Sequence, residues 1–297
     1  MGNSKSRLRK ERRRPSHNEQ VTQNEETDRS QDLFMPESIK EIERTQYKYF
    51  LYKHIFECRF SPPIEDKLNE GTLVLDIGCG PGTWILDMAS HYPCSEFYGF
   101  DIHEIYPTQI RPPNAHFKQA NALDGLAFEK DTFELVRLAS MAISFDELQY
   151  LEVIRDSLRI LKPGGYIEII ETEDSFINEG PILRKFIESF KLLLARHDMD
   201  VKLSQKLDSL VSLSGFVNIQ TDRRIIILNE SEGGISGKLF MQLVDDFFQC
   251  SVTETFAADL GLSIEEYKEH WQVCKDEIVT YKTGLVLKKI WAQKNLI

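Results

Sequence analysis

Short apolar runs alternate with helical patterns through the middle of the chain. The apolar runs cover residues 73–77, 96–100, 116–119, 133–138 and 166–170. Segments with apolar residues at helical spacing separate them. Alternation of this kind predicts βαβ units that build a parallel sheet with helices on its faces.

Two amphipathic helices are expected to frame these units. The first begins at Pro36 and ends before Ser61, and its apolar stripe consists of Ile39, Ile42, Tyr47, Phe50, Ile55 and Phe56. The second begins at Ser144, which forms a capping box with Glu147. Its apolar face is predicted to consist of Leu148, Leu151, Ile154, Leu158 and Leu161.

The last third of the chain changes from helices to a β-rich run and back. Helical patterns cover residues 182–196 and 201–212, and a β-rich run follows at 216–228. Residues 233–280 are helical again, including a helix capped by Ser263 and Glu266, and residues 284–292 close the chain with a strand. We therefore expect the two β-rich runs to pair antiparallel, with the helices between them forming a cap.

Composition and charge divide the chain into a tail and one domain. The hydrophobic fraction is 41%, which is ordinary for a globular protein, but residues 1–35 contain almost no large apolar side chain. We interpret residues 1–35 as a disordered basic tail and 36–297 as one domain. The domain consists of a leading helix at 36–60, a core at 72–230, a helical cap at 231–280 and a closing strand at 281–297.

The charge distribution and the cysteines exclude several classes of protein. The net charge is −11, although seven of the first fourteen residues are Lys or Arg, so the domain is strongly acidic. Nucleic acid binding by the folded domain is not expected because phosphates repel such a surface. The five cysteines are irregularly spaced and indicate neither a disulfide framework nor a metal site.

The segment most informative about function follows the first predicted strand. It reads Asp76-Ile77-Gly78-Cys79-Gly80-Pro81-Gly82, and Asp101 ends the next strand. Glycines allow the backbone to turn tightly and let a ligand approach closely. A dinucleotide site would use a GxGxxG spacing, as in NAD-dependent oxidoreductases, whereas this loop is GxGxG.

S-adenosylmethionine suits this arrangement better than a dinucleotide. Its cationic ammonium and sulfonium favour an acid such as Asp76 at the strand end. Its ribose has two hydroxyls for the Asp101 carboxylate. Asn121 and Ala122 follow the third strand, where a short polar side chain can contact an adenine edge.

Residues 36–297 resemble the class I S-adenosylmethionine-dependent methyltransferases, and in particular the fungal LaeA-like and UMTA-like group. The resemblance rests on the glycine loop, on Gly99-Phe100-Asp101-Ile102, on residues 119–125 and on Lys162-Pro163-Gly164-Gly165. It implies an α/β fold with a Rossmann-like, doubly wound, mostly parallel seven-stranded sheet. It also implies cofactor contacts from Asp76, Gly78, Cys79, Gly80, Gly82, Asp101, Ile102, Asn121 and Ala122.

The sequence departs from the family after the fourth strand. Relatives usually have His or Gln, then Met and Arg, where this chain has Arg137-Leu138-Ala139-Ser140. Glu171, Glu173 and Asp174 are positional candidates for a base, although solvated or helix-capping acids are the simpler interpretation. His54 and Tyr47 on the leading helix are alternative contacts, although packing of the helix is the simpler interpretation of both. The catalytic residue stays unassigned because methyl transfer need not use one.

Two functions and two locations follow as expectations. The first function is methyl transfer to a small-molecule acceptor, and the second is a LaeA-like regulator that binds the cofactor and modifies a protein or nothing. An intracellular, cytoplasmic location is expected because no apolar signal segment begins the chain. Gly2 with Ser6 matches an N-myristoylation pattern, which together with the basic run predicts peripheral membrane contact; a nuclear import signal is the rival interpretation.

Overall fold

One seven-stranded sheet organises the chain in the computed structural model, which describes residues 38–197, 199 and 202–296. The strands are β1 (Leu73–Ile77), β2 (Glu96–Asp101), β3 (Ala115–Gln119), β4 (Phe133–Ala139), β5 (Leu161–Ile177), β6 (Val217–Ile227) and β7 (Gly284–Gln293). Their order across the sheet is β3-β2-β1-β4-β5-β7-β6. β1 to β5 are parallel, and β7 lies antiparallel between β5 and β6. The expected mostly parallel sheet and its closing antiparallel pair are confirmed.

Helices cover both faces of this sheet. They are α1 (Ile39–Phe56), α2 (Glu65–Glu70), α3 (Thr83–His91), α4 (Glu147–Ile160), α5 (Pro181–Arg196), α6 (Leu203–Leu213), α7 (Glu230–Asp246), α8 (Thr253–Leu260) and α9 (Ile264–Thr280). A short 3₁₀ helix follows β3 at Ala122–Asp124, and a π-helical turn at Phe247–Ser251 joins α7 to α8.

Three apolar clusters hold these layers together. α4 and α6 pack on one face of the sheet through residues such as Tyr150 and Leu207. α2 and α3 cover the other face through Leu68 and Met88. The third cluster joins α1 and α5 to the helices between β6 and β7. These last helices form the cap that the sequence predicts, because they bury their aromatic side chains against α1 and α5 rather than against the sheet centre.

The helix after β4 starts later than the sequence predicts. The capping box is formed by Asp146 and Gln149 rather than by Ser144 and Glu147, and Leu148 is 71% exposed. The buried face consists of Tyr150, Val153, Ile154, Ser157 and Ile160. The prediction was wrong because the capping pattern also fits two residues later, and that register turns a better apolar stripe towards the sheet. The Ser263–Glu266 capping box, by contrast, is present.

Two expectations fall outside the described residues. The tail at 1–35, including Gly2, and the start of the leading helix at Pro36 are not described; the described part of α1 begins after its N-cap Ser38. Among the helices that the structure does describe, none is both long and apolar enough to cross a bilayer.

Candidate active site

The glycine loop between β1 and α3 is shaped for close approach of a ligand. Gly78, Gly80 and Gly82 have φ values of 68°, 52° and 72°, which side chains rarely adopt. A Cβ on Gly82 would lie 2.6 Å from the Phe117 ring, and one on Gly78 would contact the Met141 side chain. The backbone conformation therefore requires glycine at all three positions, and the Phe117 ring also limits the space at Gly82.

Asp101 at the end of β2 holds this loop in place. Its two carboxylate oxygens accept hydrogen bonds from the Gly80 N–H at 2.8 Å and the His103 N–H at 3.0 Å. Burial raises the pKa of Asp101, and these two N–H groups act in the opposite direction. Each carboxylate oxygen retains a second lone pair for a ligand hydroxyl. The Asn121 side chain accepts from the Leu123 N–H at 3.0 Å, which leaves its amide NH₂ as a donor.

A cavity of about 240 Å³ opens at the carboxyl ends of β1 to β4, and we call it the cofactor cavity. Six of the predicted cofactor residues line it: Gly78, Gly80, Asp101, Ile102, Asn121 and Ala122. Two more, Asp76 and Cys79, line a smaller cavity of about 50 Å³ beside it. Gly82 lines neither and is instead the N-cap residue of α3. The glycine loop, the Asp101 carboxylate and the Asn121 amide donor fit S-adenosylmethionine.

Asp76 has a partner that the sequence did not reveal. Its Oδ1 accepts from Arg137 Nη1 at 3.0 Å, and both side chains are buried. The guanidinium carbon of Arg137 lies 4.7 Å from the centre of the Trp84 ring. Burial raises the pKa of Asp76 to about 6, although Arg137 favours the charged form. Arg137 thus places a fixed cation beside the first acid of the glycine segment.

A second cavity of about 250 Å³, which we call the inner cavity, lies beneath the cap. Its wall is mainly apolar and includes Phe176, Phe190, Phe240, Leu243, Val244 and Phe248. Arg44, Lys48, Ser140, Ile143 and Phe247 line both the inner cavity and the cofactor cavity. The two cavities therefore meet, which is the arrangement a two-substrate transfer reaction needs.

Glu171 is the acid of the inner cavity that is placed to exchange a proton. Its Oε1 accepts from the N–H groups of Met141 at 2.6 Å and Ala142 at 3.0 Å, and from the Tyr150 hydroxyl at 3.4 Å. Burial nevertheless raises the pKa of Glu171 to about 7. Glu173 and Asp174 also line the inner cavity, but Arg223 binds both oxygens of Glu173, and Lys191 pairs with Asp174 at 3.1 Å.

Sequence reasoning missed the contribution of α1. Arg44, Lys48 and Tyr52 are spaced four residues apart, so they share one helix face, and all three line the inner cavity. Loss of hydration lowers the pKa of Lys48 to about 8, although the nearby Glu171 opposes that shift. Within the described residues Lys48 has no hydrogen-bond or ion-pair partner. The i, i+4, i+8 spacing was visible in the sequence but could not show that this polar face meets a cavity.

Ser140 marks the point where the two cavities join. It has a φ of 59°, which is unusual for a residue other than glycine, and its N–H donates to the Ile170 carbonyl at 2.8 Å. The Tyr52 hydroxyl lies 3.4 Å from Ser140 Oγ and 3.1 Å from Thr172 Oγ1. Backbone strain of this kind concentrates at functional sites, which agrees with the position of Ser140.

The other candidates lie away from the junction. His54 is exposed on the outer side of α1 and lines a surface groove instead of either cavity. Tyr47 packs against the apolar cluster of the cap, and its hydroxyl lies 3.5 Å from the Leu239 carbonyl. No group of three or more metal-binding side chains converges within the described ranges.

Comparison with known proteins identifies the family of this chain. Residues 74–165 match a methyltransferase domain family. The chain is 28% identical to the N-methyltransferase verN of Clonostachys rogersoniana over 267 residues, which is 86% of this chain and 90% of verN. It is 30% identical to a demethylmenaquinone methyltransferase of Lactococcus lactis over 50% of this chain and 68% of that protein. The chain is a class I S-adenosylmethionine-dependent methyltransferase.

Further similarities place this methyltransferase near the LaeA-like group and support its fold. It is 29% identical to the secondary metabolism regulator LAE1 of Cochliobolus heterostrophus, over 53% of each chain. The phosphoethanolamine N-methyltransferase 2 of Haemonchus contortus, solved with S-adenosylhomocysteine, has a TM-score of 0.50 at 18% identity, covering 91% of this chain and 60% of that one. The methyltransferase uses S-adenosylmethionine as its cofactor.

Proposed function

We propose that this enzyme transfers a methyl group to an amine nitrogen of a small, largely apolar molecule held in the inner cavity. The observation that carries the proposal is the junction of an apolar cavity with the cofactor cavity, with Lys48 on the shared wall and Glu171 on the wall of the inner cavity. An aromatic cavity of about 250 Å³ suits a small molecule better than a protein segment. The similarity to verN, an N-methyltransferase, supports nitrogen as the methylated atom.

Positioning supplies most of the acceleration in this reaction. The bound cofactor supplies a methyl group on a sulfonium, which an acceptor nitrogen takes by in-line displacement. The aromatic wall of the inner cavity orients the acceptor and excludes water, while Ser140 and Ile143 border both cavities. The Lys48 ammonium lies near Glu171 and favours the charged form of the Glu171 carboxylate.

Glu171 is proposed to accept the proton that the acceptor nitrogen loses. A carboxyl group with a pKa of about 7 is partly ionised at neutral pH and can still bind a proton during turnover. Its Oε1 is held by two backbone N–H groups, so the carboxylate keeps a fixed orientation. We expect the rate to rise with pH through the pKa of Glu171, since the base must be ionised to act.

Radiolabelled S-adenosylmethionine and a cell extract separated into small molecules and proteins would test the proposal. We expect label in an organic-soluble small molecule. Label found in the protein fraction, or no transfer, would favour the LaeA-like regulator that the sequence leaves as the alternative.

A matched pair of variants would test the role of Glu171. Glu171→Gln keeps the shape and an acceptor oxygen but cannot take up the proton, so we expect turnover to fall by on the order of 10²-fold or more with little change in cofactor affinity. Glu173→Gln, whose carboxylate is occupied by Arg223, is expected to retain most activity. Equal turnover by the two variants would exclude Glu171 as the base.

A further inference from the structure

A buried lysine and a cysteine meet where α1 ends on the sheet. Lys289 in β7 is 1% exposed, and its Nζ lies 3.2 Å from the Sγ of Cys58. The same Nζ lies 4.1 Å from the centre of the Phe56 ring. Within the described residues no carboxylate forms an ion pair with Lys289, which is unusual because a buried ammonium normally requires one. The thiol is its hydrogen-bonding partner.

Cys58 is reachable from solvent, unlike Lys289. It is partly exposed and lines an open groove of about 440 Å³ together with Phe50, Lys53, His54, Glu57 and Arg59. Its sulfur also lies 3.9 Å from Ser61 Oγ. A small oxidant can therefore enter the groove and reach the Cys58 sulfur. The Lys289 amine lies on the buried side of that sulfur.

We propose that Cys58 and Lys289 form a covalent nitrogen–oxygen–sulfur bridge when the protein is exposed to hydrogen peroxide. Peroxide first oxidises the thiol to a sulfenic acid: an S–O bond forms, the O–O bond breaks and water leaves. A second peroxide then condenses with the sulfenic acid at the accessible sulfur, giving an S–O–OH group and water. The neutral amine of Lys289 attacks the oxygen bonded to sulfur: the N–O bond forms, the O–O bond breaks, and the departing hydroxide takes a proton from nitrogen and leaves as water. Overall, one thiol, one amine and two peroxides give the bridge and three waters.

The contact distance favours an oxygen-bridged product. Lys289 Nζ and Cys58 Sγ are 3.2 Å apart. Only a small movement of the two side chains is needed to join these atoms through one bridging oxygen. A direct S–N bond would require a much larger approach of two side chains anchored in packed elements. The bridge would tie the C-terminal end of α1 to β7, and α1 also carries the Arg44, Lys48 and Tyr52 wall of the inner cavity.

Mass spectrometry of the full-length protein after peroxide treatment and trypsin digestion tests the bridge. We expect the peptide 54–59 joined to a peptide containing Lys289, with one oxygen more and two hydrogens fewer than the sum of the separate peptides. Dithiothreitol should release both peptides. Unlinked Cys58, whether a thiol or an oxidised acid, would overturn the proposal, and so would a link that lacks the oxygen.

Two controls distinguish the bridge from general cysteine oxidation. Lys289→Arg keeps the positive charge but should give no link, leaving sulfenic acid on Cys58 that dimedone traps; a link persisting in this variant would overturn the assignment of Lys289. Cys250 and Lys40 provide an internal comparison, since their atoms lie 4.0 Å apart on an exposed surface. We expect no link there. If Lys289→Arg fails to fold, the peptide masses of the peroxide-treated wild-type protein alone test whether the bridge forms.

Discussion

Asp76 is the residue whose charge state should control cofactor binding. Its pKa is raised from 3.8 to about 6 by burial, so the carboxyl gains its negative charge only as the pH rises through this value. We expect the affinity for cationic S-adenosylmethionine to increase across this range. Stability should change in the opposite sense: the folded protein binds a proton that the unfolded chain has released, so the free energy of unfolding of the cofactor-free protein falls as pH rises from about 4 to 6.

Asp76→Asn is the variant that tests this assignment. It should weaken cofactor binding at neutral pH by roughly ten- to a hundredfold, since a charge-assisted hydrogen bond contributes about 1.5 to 3 kcal/mol. Calorimetry across roughly pH 5 to 8 measures the cofactor affinities of the wild-type protein and of Asp76→Asn. This range extends roughly one pKa unit or more to either side of the pKa of Asp76. An unchanged pH profile in Asp76→Asn would show that another group governs binding.

Arg137 should be important for stability because of its buried carboxylate partner. Arg137→Met would leave Asp76 without its partner and Glu168, whose Oε2 lies 3.8 Å from Arg137 Nε, without its nearest cation. Removing one member of a buried ion pair typically costs about 3 to 5 kcal/mol. Chemical denaturation should show this loss, and adding Asp76→Asn to the same chain should recover part of it. Additive losses in the double variant would contradict the pairing.

At the scale of elements, the start of α4 gives a sharp comparison. Asp146→Ala should destabilise the protein by about 1 kcal/mol because the Asp146 side chain caps the helix by accepting from the Gln149 N–H at 2.8 Å. Ser144→Ala removes the hydroxyl that the sequence pattern favoured but which is not the cap, so we expect a change of less than about 0.5 kcal/mol. Thermal or denaturant unfolding of both variants measures the two losses of stability. A larger loss in Ser144→Ala than in Asp146→Ala would show that the helix begins at Ser144.

At the scale of the whole molecule, Phe247 connects the cap to the part of the domain that forms the cofactor cavity. It lines both cavities, and the Arg44 guanidinium lies 5.3 Å from the centre of its ring. Phe247→Ala should weaken cofactor binding and raise the KM of the acceptor together, each by about five- to tenfold, since it removes a wall and a cation–π contact of about 1 kcal/mol. Phe50→Ala, on the exposed side of α1, is the control. A change in only one of the two constants would show that the cavities act separately.

The strand ends that carry function could be located from the sequence. Strand alternation placed Asp76 and Asp101 at the ends of β1 and β2, and parallel strands bring such ends to one edge. Asn121 followed β3 for the same reason. These positions depend on the spacing of residues within single strands and loops, so they can be predicted from the sequence.

The sequence by itself determined the class of fold, the glycine loop and the methyltransferase family, because each is specified by residues close together in the chain. Tertiary structure decided which polar groups meet. Arg137 lies 61 residues from Asp76 and Lys289 lies 231 residues from Cys58, and only strand order and helix packing bring these pairs into contact. The inner cavity likewise forms where α1, β5 and the cap converge. Its shape depends on packing between distant segments, which hydrophobic periodicity does not encode.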